Sequence, residues 1–169
     1  MPGKIPAYLK RRWMKIYGAF PVLWKNYLYQ SFIAAIVVFI VLLLLNLEHV
    51  VVIASIGSTA FIVCTMPRNI TAMPRRVIGG HIIGLVSGSL CALIPQSSPL
   101  AYIGILALAV GISICLMVAL NFEHPPASGT ALGVAATGFS PGVMIAVISS
   151  SIVLSLAHYF ARRFLKDLT

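Results

Sequence analysis

Acidic side chains are almost missing from this 169-residue chain: Glu48, Glu123 and Asp167 are the only three. All charged residues together reach 9%, where soluble domains carry about a quarter. Such a chain cannot coat a water-facing surface of ordinary area. Catalytic constellations are missing too. No Ser-His-Asp arrangement, metal-ligand set or phosphate loop can be assembled from these residues, so neither an enzyme nor a cofactor is expected. Cysteine is scarce. Cys64, Cys91 and Cys115 sit in apolar stretches without CxxC spacing, which argues against a disulfide framework or a zinc site and suggests helix packing. A small-residue cleavage site is also lacking after the basic lead, so the first apolar run is expected to stay in place as its own insertion signal.

What is present is apolar. These residues make up 60% of the chain and mean hydropathy is +1.01, as in a polytopic α-helical membrane protein. The net charge of +9 does not form a recognition face for nucleic acid. Lys4, Lys10, Arg11, Arg12, Lys15 and Lys25 precede the first long apolar run. Arg68, Arg75 and Arg76 share one loop, and Arg162, Arg163 and Lys166 follow the last run. These cations bracket apolar segments as topology signals do.

Residues 1–28 mix the cations with Trp13, Tyr17, Trp24 and Tyr27, which suits either a helix in the headgroup region or a basic tail that only sets orientation. Four runs, at 29–45, 77–94, 101–120 and 142–161, approach the ~20 residues that a bilayer core requires. Two shorter runs, at 50–66 and 126–140, are rich in Gly, Ala, Ser and Thr. If the N-terminus is cytoplasmic and all six runs cross, the Arg68–Arg76 loop and the 162–169 tail both fall inside. If the first short run re-enters instead, that loop faces outward. Six crossings with both termini cytoplasmic fit better.

The segment Asn46-Leu-Glu-His49 recurs as Asn121-Phe-Glu-His124, each copy between a long run and a short one. Ala54-Ser-Ile-Gly-Ser-Thr-Ala60 likewise corresponds, with gaps, to Ala127-Ser-Gly-Thr-Ala131. The expected fold is therefore all-α: four long transmembrane helices plus two short membrane helices, as an inverted repeat of three helices each (about 29–94 and 101–161). Many secondary transporters place their site where such repeats meet.

His124-Pro125-Pro126 opens the second short helix, whose start is a candidate anion site with Ser128, Gly129 and Thr130 allowing close approach. The alternative is that Ser and Thr cap the helix while Gly and Ala pack. Gly80, Gly84 and Gly88 form a stripe for close helix contact, whereas His81, deep in an apolar run, needs a partner. His158, close to Arg162, reads as interfacial.

At these residues the chain resembles the HPP family of small membrane proteins. The likeness rests on His124-Pro-Pro-Ala-Ser-Gly-Thr-Ala-Leu132, Ile56-Gly-Ser-Thr-Ala60 and Met73-Pro-Arg-Arg-Val-Ile-Gly-Gly-His81. Relatives commonly read Ala-Gly-Ala-Thr-Ala after His-Pro-Pro, and Gln-Pro-Arg-Asn where this chain has Met73-Pro-Arg-Arg76. The family is usually described with four membrane helices, which matches the long runs alone. The resemblance implies transport, with nitrite as the solute of chloroplast and cyanobacterial relatives, and a bacterial or cyanobacterial inner membrane as the location. The expectation is thus carriage of a small anion, most simply nitrite, by a lipid-embedded homo-oligomer. His124, Ser128, Gly129 and Thr130 would form one half of the site, and Ser58, Thr59 and His81 the other. Arg75 would stand at the cytoplasmic mouth. An anion channel and a non-transporting scaffold or sensor are the alternatives.

Overall fold

A computed structural model describes residues 7–44 and 50–168. Lys4 and the first repeat motif, Asn46–His49, lie outside the described residues. Six α-helices and no strand occur among them: α1 (Ala7–Leu44), α2 (Val50–Thr65), α3 (Pro74–Ala92), α4 (Pro99–Ala119), α5 (Pro126–Thr137) and α6 (Pro141–Ala161). All six apolar runs are therefore helical.

Local chemistry sets the boundaries. Pro74, Pro99, Pro126 and Pro141 each open a helix, where the missing N–H has no partner to lose. Ser98 and Ser140 cap α4 and α6 by accepting from the N–H of Ala101 and Val143. In the turn after α4, Asn121 has a φ of +60°, the only positive value at a non-glycine among the described residues. Asn tolerates this conformation, and it lets the Phe122 N–H reach back to the Met117 carbonyl at 2.8 Å. α1 runs unbroken through residue 28, with Pro21 inside it, so the basic aromatic lead from Ala7 onward and the first apolar run share one helix.

Among the described residues, three helices are long and apolar enough to cross a bilayer: Pro21–Leu43 within α1, Pro99–Ala119 and Pro141–Ala161. The fourth expected long span is α3. Its helix takes in Arg75 and Arg76 and also carries His81 and several glycines, so it is less apolar than the other three. It packs on α4, α5 and α6, while α2 packs on α1, α5 and α6; α1 also touches α6, and α4 touches α5. Gly80, Gly84 and Gly88 face α5 and the residues before it. A β-carbon at Gly84 would run into the Ala127 carbonyl, and one at Gly88 would sit 2.8 Å from the Val134 β-carbon.

The outer surface is apolar, and polar side chains are kept inside among an apolar core. Large apolar side chains such as Phe32, Phe39, Ile103, Val118, Ile145 and Phe160 are exposed, while Gln30, Ser55, Thr59, His81, His124, Thr130 and His158 are buried. An apolar exterior with the polar side chains withdrawn inside suits a hydrocarbon solvent.

The segments at 66–73, 120–125 and 162–168 are tied together at one end of the bundle. The Leu168 N–H donates to the Thr65 carbonyl at 2.9 Å, and the Arg68 N–H donates to the Asp167 carboxylate at 3.1 Å. His158 at this end is buried within the bundle, and its Nε2 donates to the Pro67 carbonyl at 2.7 Å. Gln30 of α1 donates to the Lys166 carbonyl at 2.8 Å and the Cys64 carbonyl at 2.5 Å. Arg68, Arg75, Arg76, Arg162, Arg163 and Lys166 all belong to this end, whereas, among the described residues, the opposite loops 93–98 and 138–140 carry no charge.

Candidate functional site

Where α2, α3 and the start of α5 meet, five side chains form one buried hydrogen-bonded cluster: Ser55, Thr59, His81, His124 and Thr130. Helix periodicity explains how they come together. Ser55 and Thr59 are four residues apart and share one face of α2. His81 looks out of α3 toward that face. Gly80 beside it allows the segment before α5 to approach so closely that a β-carbon there would lie 2.7 Å from that of His124. Thr130 stands one turn into α5 and completes the ring of contacts.

The distances are short throughout. The Thr59 hydroxyl lies 3.0 Å from Nε2 of His81 and 3.0 Å from Nε2 of His124. It is also 2.9 Å from the Ser55 carbonyl. His81 Nδ1 is 2.8 Å from the Thr130 hydroxyl, which is 2.8 Å from the Ser55 hydroxyl. Ser55 reaches the Pro126 carbonyl at 2.6 Å, and His124 Nδ1 reaches the Thr71 carbonyl at 2.8 Å. The two imidazole rings stand 5.2 Å apart between centroids.

An open groove of about 650 Å³ passes beside this cluster between α2 and α5. Its walls include Ser55, Ser58, Phe61, Met66, Pro125 and Gly129, and no charged side chain among the described residues lines it. Below the cluster, at the cationic end, Arg76 forms an ion pair with Glu123 and a hydrogen bond to Asn121. The second Asn-x-Glu-His motif thus divides its work: Asn121 and Glu123 hold the arginine while His124 enters the cluster.

The structure brings together His124, Thr130, Thr59 and His81 from the residues expected in the site. Ser58 is exposed to the groove and donates to the Ala54 carbonyl of its own helix at 2.8 Å. Ser128 likewise turns to its own backbone, donating to Pro125 at 2.6 Å. Gly129 faces Ser55 across the groove. Arg75 is exposed and lies 4.8 Å above the Phe122 ring; the buried arginine is its neighbour Arg76. Ser55, Arg76 and the Thr71 carbonyl were not expected in the site.

The start of α5 also differs from the expected anion cradle. Pro125 and Pro126 have no N–H, and those of Ala127 and Ser128 donate to the carbonyls of His124 and Pro125. These donors are engaged within the chain, so the chemistry rests on hydroxyls and imidazoles.

The family whose description is "HPP, transmembrane region" matches residues 21–167 of this chain. A transmembrane protein of Dictyostelium discoideum is 35% identical over 88 residues, which is 52% of this chain and 31% of that protein. The matched segment therefore spans less than a third of that relative's length. No solved structure matches.

Proposed function

Given that the chain belongs to the HPP family of transmembrane proteins, we propose that it is a membrane transport protein for a small inorganic anion, not an enzyme. One observation carries this reading: imidazoles and hydroxyls are gathered at the meeting of two short helices, inside a bundle whose outer surface is apolar. Ionisable groups at such depth are costly, and membrane proteins keep them chiefly on solute and ion pathways. Nitrite is the first candidate solute, on the family resemblance. The groove beside Ser55 and Ser58 is the approach, with a second copy of the chain as the proposed neighbour along its open side.

The inverted repeat belongs to this proposal. Exchanging α1 with α4, α2 with α5 and α3 with α6 carries the main helix pairings onto one another. The α1–α2 contact maps onto α4–α5, α1–α6 onto α3–α4, and α2–α6 onto α3–α5. The α2–α5 and α3–α6 contacts map onto themselves, as a pseudo-two-fold axis requires. The cluster lies on the α2–α5 contact. On the positive-inside rule, the end bearing Arg68, Arg76 and Arg162 is cytoplasmic.

The competing reading is a non-transporting membrane module, favoured by the absence of a free N–H at Ala127 and Ser128. Nitrite uptake into proteoliposomes separates the two, with protein-free vesicles as the blank and a pH gradient present or absent. Saturable uptake that falls in folded His124→Gln protein supports the carrier. Uptake equal to that of empty vesicles, from inserted and folded protein, removes nitrite as the solute.

A further inference from the structure

The cluster has more hydrogen-bond positions than hydrogens. Seven side-chain contacts join its members to one another or to the carbonyls of Ser55, Thr71 and Pro126. Three hydroxyls and two neutral imidazoles supply one hydrogen each, so two contacts lack one.

More than one arrangement of those hydrogens fills five contacts. In the one that leads toward His124, Thr59 donates to that ring rather than to the Ser55 carbonyl, and Ser55 to Thr130 rather than to the Pro126 carbonyl. A carbonyl only accepts, so His124 must carry its hydrogen on Nδ1, facing Thr71. Neutral His124 then offers Nε2 as an acceptor, and Thr59 donates to it. With its only hydrogen committed, Thr59 accepts from His81, which must be protonated on Nε2. His81 Nδ1 therefore accepts from Thr130, and Thr130 accepts from Ser55. Every hydrogen points the same way, from Ser55 at the groove toward His124. The short contacts to the Ser55 and Pro126 carbonyls are the two left without a hydrogen.

We propose that this chain of side chains is a proton acceptor, taking up one proton at Ser55 from the groove and storing it on His124. The incoming proton binds the Ser55 oxygen, which passes its own hydrogen to Thr130. Thr130 passes its own to Nδ1 of His81, His81 releases its Nε2 hydrogen to Thr59, and Thr59 gives its own to Nε2 of His124. One proton has entered, none has left, and His124 is an imidazolium with hydrogens on both nitrogens. The Thr71 carbonyl cannot pass a proton onward, so the relay ends there.

Uptake reverses every donor in the chain. His81 changes from the Nε2–H to the Nδ1–H tautomer. Ser55, released from Thr130, donates to the Pro126 carbonyl at the groove wall, which fills one of the two missing hydrogen bonds. On the transport reading a loaded proton covers the Pro126 carbonyl at the groove wall and adds a positive charge to the cluster, both of which favour an anion in the groove and couple its binding to proton uptake. The relay itself stands without that reading.

The other titratable groups around the cluster are few. α3 brings Arg76 and the segment before α5 brings Glu123, already paired with each other. α6 brings His158, bonded to Pro67, and the described part of α2 brings Cys64. α5 carries no titratable side chain, and α4 carries Tyr102 and Cys115.

Histidine ¹⁵N NMR on the full chain in lipid bilayers tests the relay without any flux measurement. Signals are assigned with His49→Gln and His158→Gln. At high pH the expected result is Nδ1–H on His124 and Nε2–H on His81. On acidification His124 should gain its second proton with the same midpoint at which the His81 hydrogen moves to Nδ1. Thr130→Val, which cuts the link to Ser55, should abolish the joint transition. A His81 tautomer that stays fixed while His124 titrates, or separate midpoints for the two rings, overturns the proposal. So does a joint transition that survives in Thr130→Val. The wild-type titration decides the matter even where the variant does not fold.

Discussion

The Thr59 hydroxyl oxygen lies 3.0 Å from Nε2 of His124, with both residues fully buried. The same oxygen is 3.0 Å from His81 Nε2, so one hydroxyl serves two imidazoles from different elements. Thr59→Val keeps the shape of the side chain but leaves both ring nitrogens without that partner. A buried polar group deprived of its hydrogen bond costs about 1–3 kcal/mol. Thermal unfolding in detergent should show Thr59→Val destabilised on that scale, with Thr59→Ser close to wild type. Equal stability of the valine and wild-type proteins would mean that the hydroxyl does not join these rings.

The ion pair between Arg76 and Glu123 should respond asymmetrically to truncation. The Arg76 side chain is 11% exposed and that of Glu123 is 37% exposed. Removing the carboxylate strands a nearly buried guanidinium, whereas removing the guanidinium leaves a carboxylate that water reaches and screens. Glu123→Ala is therefore expected to cost about 2 kcal/mol, and Arg76→Met about 1 kcal/mol or less. Melting temperatures of the two purified variants check the order. Arg76→Lys should not substitute well, because one ammonium does not reproduce the forked contact to Glu123 and Asn121.

The helices were legible because apolar runs and leading prolines act locally. The cluster was only half legible. Ser128 and Thr130 are two residues apart, roughly 200° around a helix, so they cannot both face α2. Thr130 does, while Ser128 turns back to Pro125. In the same way Ser58 and Thr59 are neighbours about 100° apart, and the partner that shares the Thr59 face is Ser55, four residues earlier. Arg76 lies four residues before Gly80, on the stripe that packs against α5, and its neighbour Arg75 lies off it. These three choices could have been made from helix spacing. The Thr71 carbonyl could not, because it depends on how the 66–73 segment folds under His124.

The glycines divide into two groups with opposite expected effects. At Gly84 a β-carbon meets the Ala127 carbonyl, a backbone atom that can move only with α5. Gly84→Ala should destabilise the bundle by about 1–3 kcal/mol, the usual cost of overpacking. Gly104 and Gly111 of α4 have nothing within 4 Å of the same position. There, alanine should stabilise by about 0.5–1 kcal/mol through helix propensity alone. Thermal unfolding of the three single variants tests the contrast, and a neutral Gly84→Ala would contradict the close α3–α5 contact.

Sidedness gives the test that bears on the whole architecture. The contacts of Arg68 with Asp167 and of His158 with Pro67 put the 66–73 segment and the tail at one end. The 93–98 loop lies beyond the far end of α3. Cysteines placed at Arg68 and Arg162 should therefore react with a membrane-impermeant thiol reagent from one side of oriented vesicles, and one at Gln96 from the other. The background protein needs Cys115→Ser, since Cys115 is exposed while Cys64 and Cys91 are buried. If the Arg68 and Gln96 positions label from the same side, α3 does not cross and the six-crossing arrangement fails. If the Arg68 and Arg162 positions label from opposite sides, the docking of the tail on the 66–73 segment is wrong. Labelling of Arg68 and Arg162 from the cytoplasmic side would, in addition, fix the end that carries the Arg76–Glu123 pair as the inner one.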